Sequence, residues 1–329
     1  MKIVDSHCHI DRVELDKFGG SIDSLIDHAK TLNVEEFLCV CIDLENFSSV
    51  YEIAKQHPEI YASVGVHPTE QGGEDPTTER LVSLANQEKI IAIGETGLDY
   101  FHVKTDEADW QRERFARHIS ASQITGKPLI IHTRDAKKDT IDIMKSENAS
   151  SGVMHCFSED WQTAKAAMDM GFYISFSGII TFNSAGDLRE VVKKVPMDRI
   201  LVETDSPYLT PVPYRGKTNA PGYTYYVAEK VAEDYARWTT NAHGEQSQWA
   251  KDSIAEWDQK IRVMNGKKYI KVVKENGVFA FIMKEDSGRF KKGDVLMASS
   301  WRAPALNSAR GNVLTGNYPI RWTGPLYLK

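Results

Sequence analysis

The chain has 329 residues, of which 41% are hydrophobic and 26% are charged, a composition typical of a globular protein with one large domain and one small one. No apolar run approaches the ~20 residues that a membrane-spanning helix needs, and the first residues lack the apolar segment of a signal peptide. We therefore expect a cytosolic protein rather than an integral membrane protein. The four cysteines show no CxxC spacing, so the sequence indicates neither a zinc knuckle nor a disulfide framework.

Charge divides the chain into two regions. Residues 261–329 contain 13 Lys and Arg against 4 Asp and Glu, a net charge of +9, which leaves 27 against 42, a net charge of −15, in residues 1–260. Two regions of opposite charge indicate two modules. We expect a large domain over residues 1–243, a helical linker over 244–260, and a small basic β-rich domain over 261–329.

Short apolar segments alternate with longer amphipathic ones from residue 1 to about 210. The predicted strands are Ile3–His9, Glu36–Ile42, Ile60–His67, Ile90–Gly94, Pro128–His132, Gly152–Phe157, Phe172–Ser177 and Ile200–Glu203. Eight βα units in roughly 250 residues predict an α/β fold, a closed (β/α)₈ TIM barrel, followed by the small β-rich domain. A doubly wound sheet is the alternative, but no GxGxxG follows the first strand.

Unusual polar residues fall at the carboxyl ends of these predicted strands. His7 and His9 are two residues apart, so in a strand their imidazoles share one face. An isolated pair of this kind is as often structural as metal-binding. The other residues at strand ends are His67, Glu95, His132, His155 and Asp205. Because a barrel enzyme builds its active site at the carboxyl ends of its strands, this clustering predicts a single functional site.

The cluster has too many ligands for one four-coordinate ion, but it suits two ions that share a carboxylate bridge. The first ion is expected to bind His7, His9, Glu95 and Asp205. The second is expected to bind Glu95, His132 and His155. Two divalent ions ~3.5–4 Å apart can activate water and stabilise a leaving oxygen, so the predicted chemistry is hydrolytic. Glu95 and Asp205 are the predicted catalytic residues, with Asp205 as general base, and Glu203 is expected to support the ligands.

Several motifs resemble those of the TatD-like metal-dependent deoxyribonucleases. They follow that family's order over residues 1 to about 240 and read DSHCHID (5–11), GVHP (65–68), AIGETGLDY (92–100), KPLIIHTRDA (127–136), GVMHCFS (152–158), ISFSG (174–178), VETDSPYL (202–209) and PYRGKTNAP (213–221). The resemblance implies a TIM barrel of the amidohydrolase type, a two-metal site and hydrolysis of DNA phosphodiester bonds, often from the 3′ end. By motif position it implies the same six metal ligands that the barrel argument selects.

A phosphodiester substrate needs cations and hydrogen-bond donors near the metals. The predicted substrate-binding residues are His67, Arg134, Arg215 and Asn219. For the charged loop residues the alternative is a solvated surface charge. The net charge of −15 argues against broad duplex binding, so the expected partner is DNA with single-stranded or frayed 3′ ends. The remaining histidines, which we expect at the surface, are His28, His57, His102, His118 and His243.

The carboxyl-terminal region is predicted to be a small β structure. Its expected strands are Tyr269–Lys274, Val278–Met283 and Asp294–Ala298, with a hairpin turn at Asn276-Gly277. Basic residues here predict either contacts with nucleic-acid phosphates or a basic face that makes a protein contact with the acidic domain, and both stay open. No membrane partner is expected. The lysines concerned are Lys267, Lys268, Lys271, Lys274, Lys291 and Lys292.

Three functions remain open from the sequence. The leading one is a two-metal hydrolase that cleaves DNA from its ends. The first alternative is an amidohydrolase-type enzyme that cleaves a C–N or ester bond in a small molecule, with a small closed pocket and no need for Arg134 or Arg215. The second is a non-catalytic binding or scaffold protein. The metal stays open among Mg, Mn and Zn, because ligand identity alone does not choose between them.

Overall fold

The chain forms two compact units, Met1–Ala236 and Arg237–Lys329. The computed structural model describes residues 2–239, 261–274, 277–296, 298–300, 303–304, 306, 309, 314, 320–321 and 324–325. The helical linker expected over residues 244–260 lies outside these described residues. Among the helices of the described residues, none is both long enough and apolar enough to cross a membrane.

The first unit is built on eight parallel strands. They are β1 (Ile3–Cys8), β2 (Val34–Cys39), β3 (Ile60–Val64), β4 (Ile90–Asp99), β5 (Leu129–Arg134), β6 (Gly152–Met154), β7 (Tyr173–Phe176) and β8 (Ile200–Val202). Each strand pairs with the next in chain order. The last returns to the first, because Asp205 N donates to His7 O at 2.9 Å and His9 N donates to Ser206 O at 2.8 Å. The sheet is a nearly closed barrel, so the predicted TIM-barrel fold is confirmed.

A helix follows each strand and packs on the outside of the barrel. The helices are α1 (Ile22–Thr31), α2 (Phe47–Gln56), α3 (Thr78–Ala85), α4 (Asp109–Thr125), α5 (Lys137–Ser146), α6 (Trp161–Asp169), α7 (Gly186–Val192) and α8 (Thr224–Thr239). Side chains cap several amino-terminal ends, where backbone N–H groups lack partners in the helix. At α1, Ser21 Oγ accepts from Ser24 N at 3.1 Å, and at α6, Asp160 Oδ1 accepts from Thr163 N at 2.9 Å.

Apolar side chains fill the layer between strands and helices. The largest fully buried rings are those of Phe37, Phe115, Phe157, Phe172 and Phe176, which belong to one continuous cluster. Phe37 and Phe176 come from strands, whereas Phe115 comes from α4, so the two layers interlock. Burying each ring stabilises the fold by ~1.5–3 kcal/mol. This core fixes the positions of the strand ends, and therefore of the polar residues that they carry.

One histidine expected at the surface is buried instead. His118, on α4, is fully buried, so the expectation for this residue was wrong. Its Nε2 accepts from Val66 N at 3.1 Å and its Nδ1 donates to Arg114 O at 2.8 Å, so the neutral ring ties α4 to the chain just after β3. Burial, together with the positive charges of Arg114 and Arg117, lowers the pKa of His118 to about 4.

The second unit contains a four-stranded antiparallel sheet. Its strands are β9 (Ile261–Asn265), β10 (Tyr269–Lys274), β11 (Gly277–Met283) and β12 (Val295–Leu296), in the order β12-β11-β10-β9. A two-stranded ribbon, β13 (Ile320–Arg321) and β14 (Gly324–Pro325), follows. Phe281, Met283, Phe290 and Leu296 form a small apolar cluster on the sheet. The predicted β-rich domain is therefore confirmed, and β9 is a strand that the sequence interpretation missed.

Candidate metal centre

Side chains from the end of β1, from within β4 and from just after β8 bring one group of nitrogen and oxygen atoms together. His7 Nε2 and His9 Nε2, from the end of β1, lie 3.3 Å apart. His7 Nε2 is 3.3 Å from Glu95 Oε2, and His9 Nε2 is 3.3 Å from Asp205 Oδ1. All four side chains are almost completely buried, with Asp205 the most accessible at 16%. These atoms form the first donor group, which contains the residues expected to bind the first ion.

The second carboxylate oxygen of Glu95 faces a different set of histidines. Glu95 Oε1 is 2.8 Å from His155 Nε2, 3.2 Å from His132 Nδ1 and 3.4 Å from His67 Nε2. Glu95 Oε1, His155 Nε2 and His132 Nδ1 form the second donor group, and His67 lies beside it. Groups of three side chains with ligand atoms within 4.8 Å of one another occur on both sides of Glu95. The structure therefore brings together all six residues predicted as ligands, and Glu95 lies between the two groups.

The backbone of β4 is shaped to direct Glu95 inward. The register between β4 and β5 shifts between Ile93 and Thr96, so the strand bulges at Glu95. Gly97 has φ of +132°, and a Cβ placed on it would lie 2.0 Å from His132 O. Only glycine fits this backbone angle and this close approach of the two strands. The glycine two residues after Glu95 in the GETG motif is therefore required by the close approach of β4 to β5.

The hydrogen-bonding of His155 fits a cation beside its Nε2. Its Nδ1 lies 3.2 Å from Glu203 Oε1, so a neutral ring carries its proton there. Its Nε2 then points a lone pair at Glu95 Oε1, 2.8 Å away, and this buried nitrogen makes no hydrogen bond. A lone pair and a carboxylate oxygen at this distance repel each other unless a proton or a metal ion lies between them. Glu203 thus has the supporting role expected from the sequence.

Two further ligand histidines have the same arrangement. His9 Nδ1 donates to Val40 O at 3.0 Å, which leaves its Nε2 lone pair facing Asp205. His132 Nε2 lies 3.2 Å from Asp99 Oδ2, which leaves its Nδ1 lone pair facing the cluster. A partner on the far nitrogen that fixes the imidazole tautomer is the usual environment of a metal-bound histidine. The side chains present therefore fit divalent metal ions.

The pKa shifts of the clustered residues also indicate a site that favours positive charge. Burial alone would raise the pKa of Glu95, but His155 and the other surrounding rings hold it well below its usual range. Burial alone would lower the pKa of His155, but Glu95 and Glu203 raise it well above its usual range. Burial also opposes ionisation of Asp205, yet the neighbouring His9 and His7 imidazoles keep its pKa below normal. The cluster therefore stabilises ionised carboxylates and attracts cations.

His67 differs from the predicted ligands. Its Nδ1 accepts from Thr69 N at 3.2 Å, so the neutral ring carries its proton on Nε2, which faces Glu95 Oε1. Burial and the neighbouring His132 lower the pKa of His67 to about 3, so the ring stays neutral. A neutral N–H donor at the cavity wall suits a hydrogen bond to a substrate oxygen, in line with the substrate-facing role expected for His67.

Two buried carboxylates hold the site together without having been singled out in the sequence. Asp99 accepts from His132, as described above, and it lies four residues after Glu95 on the same strand face. That two-residue periodicity was the signal that could have identified it.

Asp5 accepts from Thr204 N at 2.9 Å and from Thr204 Oγ1 at 2.5 Å, which fixes β1 to the segment that carries Asp205. Burial raises the pKa of Asp5 to about 8.

Comparison with known proteins identifies the first unit. Residues 4–245 match the family model described as TatD related DNase. The chain belongs to the TatD family. It is 43% identical over 235 residues to the uncharacterized metal-dependent hydrolase YcfH of Escherichia coli strain K12, a match that covers 70% of this chain and 88% of YcfH. As a TatD protein, it is a metal-dependent hydrolase.

Two further similar proteins agree with this assignment. The uncharacterized metal-dependent hydrolase YabD of Bacillus subtilis strain 168 is 40% identical over 236 residues, covering 70% of this chain and 90% of YabD. The crystal structure of YjjV, a TatD homolog from Escherichia coli, superposes with a TM-score of 0.65 at 27% identity, covering 70% of this chain and 90% of YjjV. These matches cover about the length of the barrel unit.

The TatD site opens into a cavity of about 600 Å³. Besides predicted metal ligands, its walls include His67, Thr69, Arg12, Arg134 and Tyr208. Arg134 is exposed, and its guanidinium carbon lies 3.8 Å from the centre of the Phe101 ring. Arg12 also reaches the cavity, although its charge is shared with Asp43, 3.3 Å away. Cationic and hydrogen-bonding groups thus surround the entrance, which suits an anionic substrate.

Two residues predicted to contact substrate lie outside the cavity walls. Asn219 is fully buried, and its amide nitrogen donates to Thr204 O at 3.0 Å and to Tyr208 O, while its oxygen accepts from Ala220 N at 2.9 Å. All of its hydrogen-bonding groups are used within the loop, so the structure gives it a supporting role instead. Arg215 is exposed and stacks on the Phe182 ring at 3.9 Å, away from the cavity walls.

Proposed function

We propose that this TatD protein is a two-metal phosphodiesterase that removes nucleotides from single-stranded or frayed 3′ ends of DNA. One observation carries the proposal: the two oxygens of Glu95 face two separate donor groups, one with His7 and the other with His155. Two divalent ions held side by side can stabilise the attacking and leaving oxygens when a phosphate ester is cleaved. The family description, TatD related DNase, supports DNA as the substrate.

The chain's own side chains have distinct roles in this proposal. The predicted ligands would hold two divalent ions, which supply Lewis acidity toward water and toward a phosphoryl oxygen. Asp205 is ionised and partly accessible from the cavity, so its carboxylate can accept the proton of the attacking water. His67 can donate from Nε2 to an oxygen of the substrate. Arg134 can bind a phosphate at the entrance.

The cavity supports a strand end better than a duplex. Its volume of about 600 Å³ is that of a pocket for a small ligand, too small to enclose a double helix. Tyr208 lines this cavity and is 51% exposed, so its ring can stack on a terminal base. The acidic charge of residues 1–260, with 27 basic against 42 acidic residues, weakens broad contact with a polyanion. Only the scissile end would then enter the site.

A nuclease assay with end-labelled oligonucleotides tests this function. With a divalent metal, a 5′-labelled single strand should be shortened stepwise, and a strand with a blocked 3′ terminus should persist. Glu95→Ala and Asp205→Asn should abolish the activity, whereas the exposed Arg215→Ala variant serves as a control that keeps it. Activity that survives Glu95→Ala would contradict the proposal.

The same preparation separates the two alternatives. Turnover of amide or ester substrates without any DNA cleavage would support the amidohydrolase-type enzyme. Such an enzyme should also tolerate Arg134→Ala, because its substrate would not need a phosphate contact at the entrance. No turnover of either substrate class by metal-loaded protein would support a binding or scaffold role.

A further inference from the structure

A second groove lies on the carboxyl-terminal unit, at the hairpin that joins β9 and β10. It has a volume of about 440 Å³ and is lined mainly by Met264, Lys267, Lys268, Tyr269, Lys271 and Phe281. Among the described residues that line it, none is acidic. The groove therefore combines a positive rim with aromatic and apolar walls.

The register of the sheet explains how these side chains meet. Lys271 on β10 pairs directly with Met264 on β9 and with Phe281 on β11, so the three side chains lie side by side on one face. Tyr269, two residues before Lys271, belongs to the same face. Its ring lies 5.8 Å from the ring of Phe281 at an angle of 73°. Phe281 is buried and forms the floor, whereas Met264 is exposed at the edge.

Positive charge is concentrated at the tip of the hairpin. Lys267 and Lys268 are both exposed, and Lys268 Nζ lies 5.8 Å from the centre of the Tyr269 ring. The more distant Lys291 instead pairs with Asp286 at 2.8 Å and does not line the groove. Among the lysines that the sequence suggested as phosphate contacts, Lys267 and Lys268 therefore line the same groove as the Tyr269 ring.

We propose that this groove binds single-stranded nucleic acid, with Lys267 and Lys268 on the phosphates and one base stacked on Tyr269. No described residue that lines the groove is acidic, so Lys267 and Lys268 can attract a phosphate backbone regardless of sequence. An aromatic ring beside them adds a stacking surface that every base can use. An acidic polypeptide would use the lysines but has no need for the ring. This binding is separate from hydrolysis in the barrel.

The test uses the full-length chain in EDTA, so that binding is measured without cleavage. Fluorescence anisotropy of a labelled oligothymidylate of about 16 nucleotides gives the affinity at several salt concentrations. Lys267→Ala/Lys268→Ala should reduce the slope of log affinity against log salt by about 1.4, since each single-strand phosphate contact contributes ~0.7. The matched control, Lys291→Ala/Lys292→Ala, removes the same charge outside the groove and should leave the slope unchanged. Equal slopes for both double variants would overturn the proposal.

Substitutions at Tyr269 test the stacking contact. Tyr269→Phe keeps the ring and should bind like the wild type, whereas Tyr269→Leu should bind the oligonucleotide roughly 5- to 100-fold more weakly. Inorganic polyphosphate, which has no bases, should bind both variants equally. An unchanged oligonucleotide affinity in Tyr269→Leu would show that no base stacks on this ring and would overturn the proposal. Tighter binding of polyglutamate than of oligothymidylate would instead assign the groove to an acidic protein. Because hydrolysis is absent in EDTA, a failed nuclease assay does not affect these results.

Discussion

Asp99→Asn should weaken one metal site and spare the other. Asp99 Oδ2 holds His132 at 3.2 Å, and His132 belongs only to the second donor group. Burial opposes the ionisation of Asp99, but its hydrogen bonds with His132 and His102 keep its pKa below normal, so the bond is charge-assisted. The amide of Asn keeps the shape and an acceptor oxygen but removes the charge.

The expected size of the effect follows from that single lost charge. A hydrogen bond to a charged group is worth ~1.5–3 kcal/mol against ~1 kcal/mol for a neutral one, so roughly 0.5–2 kcal/mol is lost. At ~1.4 kcal/mol per factor of ten, the affinity for the second ion should fall about 2- to 30-fold. Substitution of such supporting residues elsewhere weakens metal binding by about 10- to 100-fold, a range that overlaps this value.

Metal titration by calorimetry with a two-site analysis measures this effect. The affinity of the first site, with His7 and His9, should change by less than about twofold, because those histidines do not contact Asp99. The control is Asp142→Asn, the same chemical change at an exposed carboxylate that pairs with Lys138 at 2.7 Å. Equal weakening of both sites, or no change at either, would refute the reasoning.

The remaining predictions concern pH, packing and substrate. Unfolded His118 binds a proton below pH ~6.5, whereas the native ring binds one only near pH 4. The free energy of unfolding should therefore decrease by roughly 3 kcal/mol as the pH falls from ~6.5 to about 4. Urea unfolding of His118→Asn should lack this decrease. Gly97→Ala should destabilise by roughly 2–5 kcal/mol in the same assay, and Gly126→Ala, with open space around it, by less. Arg134→Ala should raise the KM for DNA about 10-fold or more, while Arg215→Ala should leave it nearly unchanged. Equal KM values for the two variants would contradict the role of Arg134 at the cavity entrance.

The barrel could be predicted because its pattern is local. Each strand is a short apolar run, and each helix repeats apolar residues on one face, so the sequence alone indicates their order. The rim residues followed from one geometric rule, that parallel strands present their carboxyl ends together. Strand lengths were less accurate: β6 ends at Met154, although a strand had been expected to continue to Phe157.

What the sequence did not reveal depends on tertiary contacts. Asn219 sits in a charged loop motif, and only the folded loop shows that its amide is used internally. His118 resembles other helix histidines until β3 packs against it. The strand β9 was missed although Asn265-Gly266 is itself a hairpin signal.

Titration of metal-free protein with Mn²⁺, followed by electron paramagnetic resonance, tests the central claim most directly. If Glu95 bridges two ions, the wild type should take up two equivalents and give the spectrum of a spin-coupled pair. Glu95→Ala should lose that coupled spectrum, while the surface variant Asp142→Asn keeps it. A single bound ion in the wild type, or two ions without spin coupling, would contradict the account.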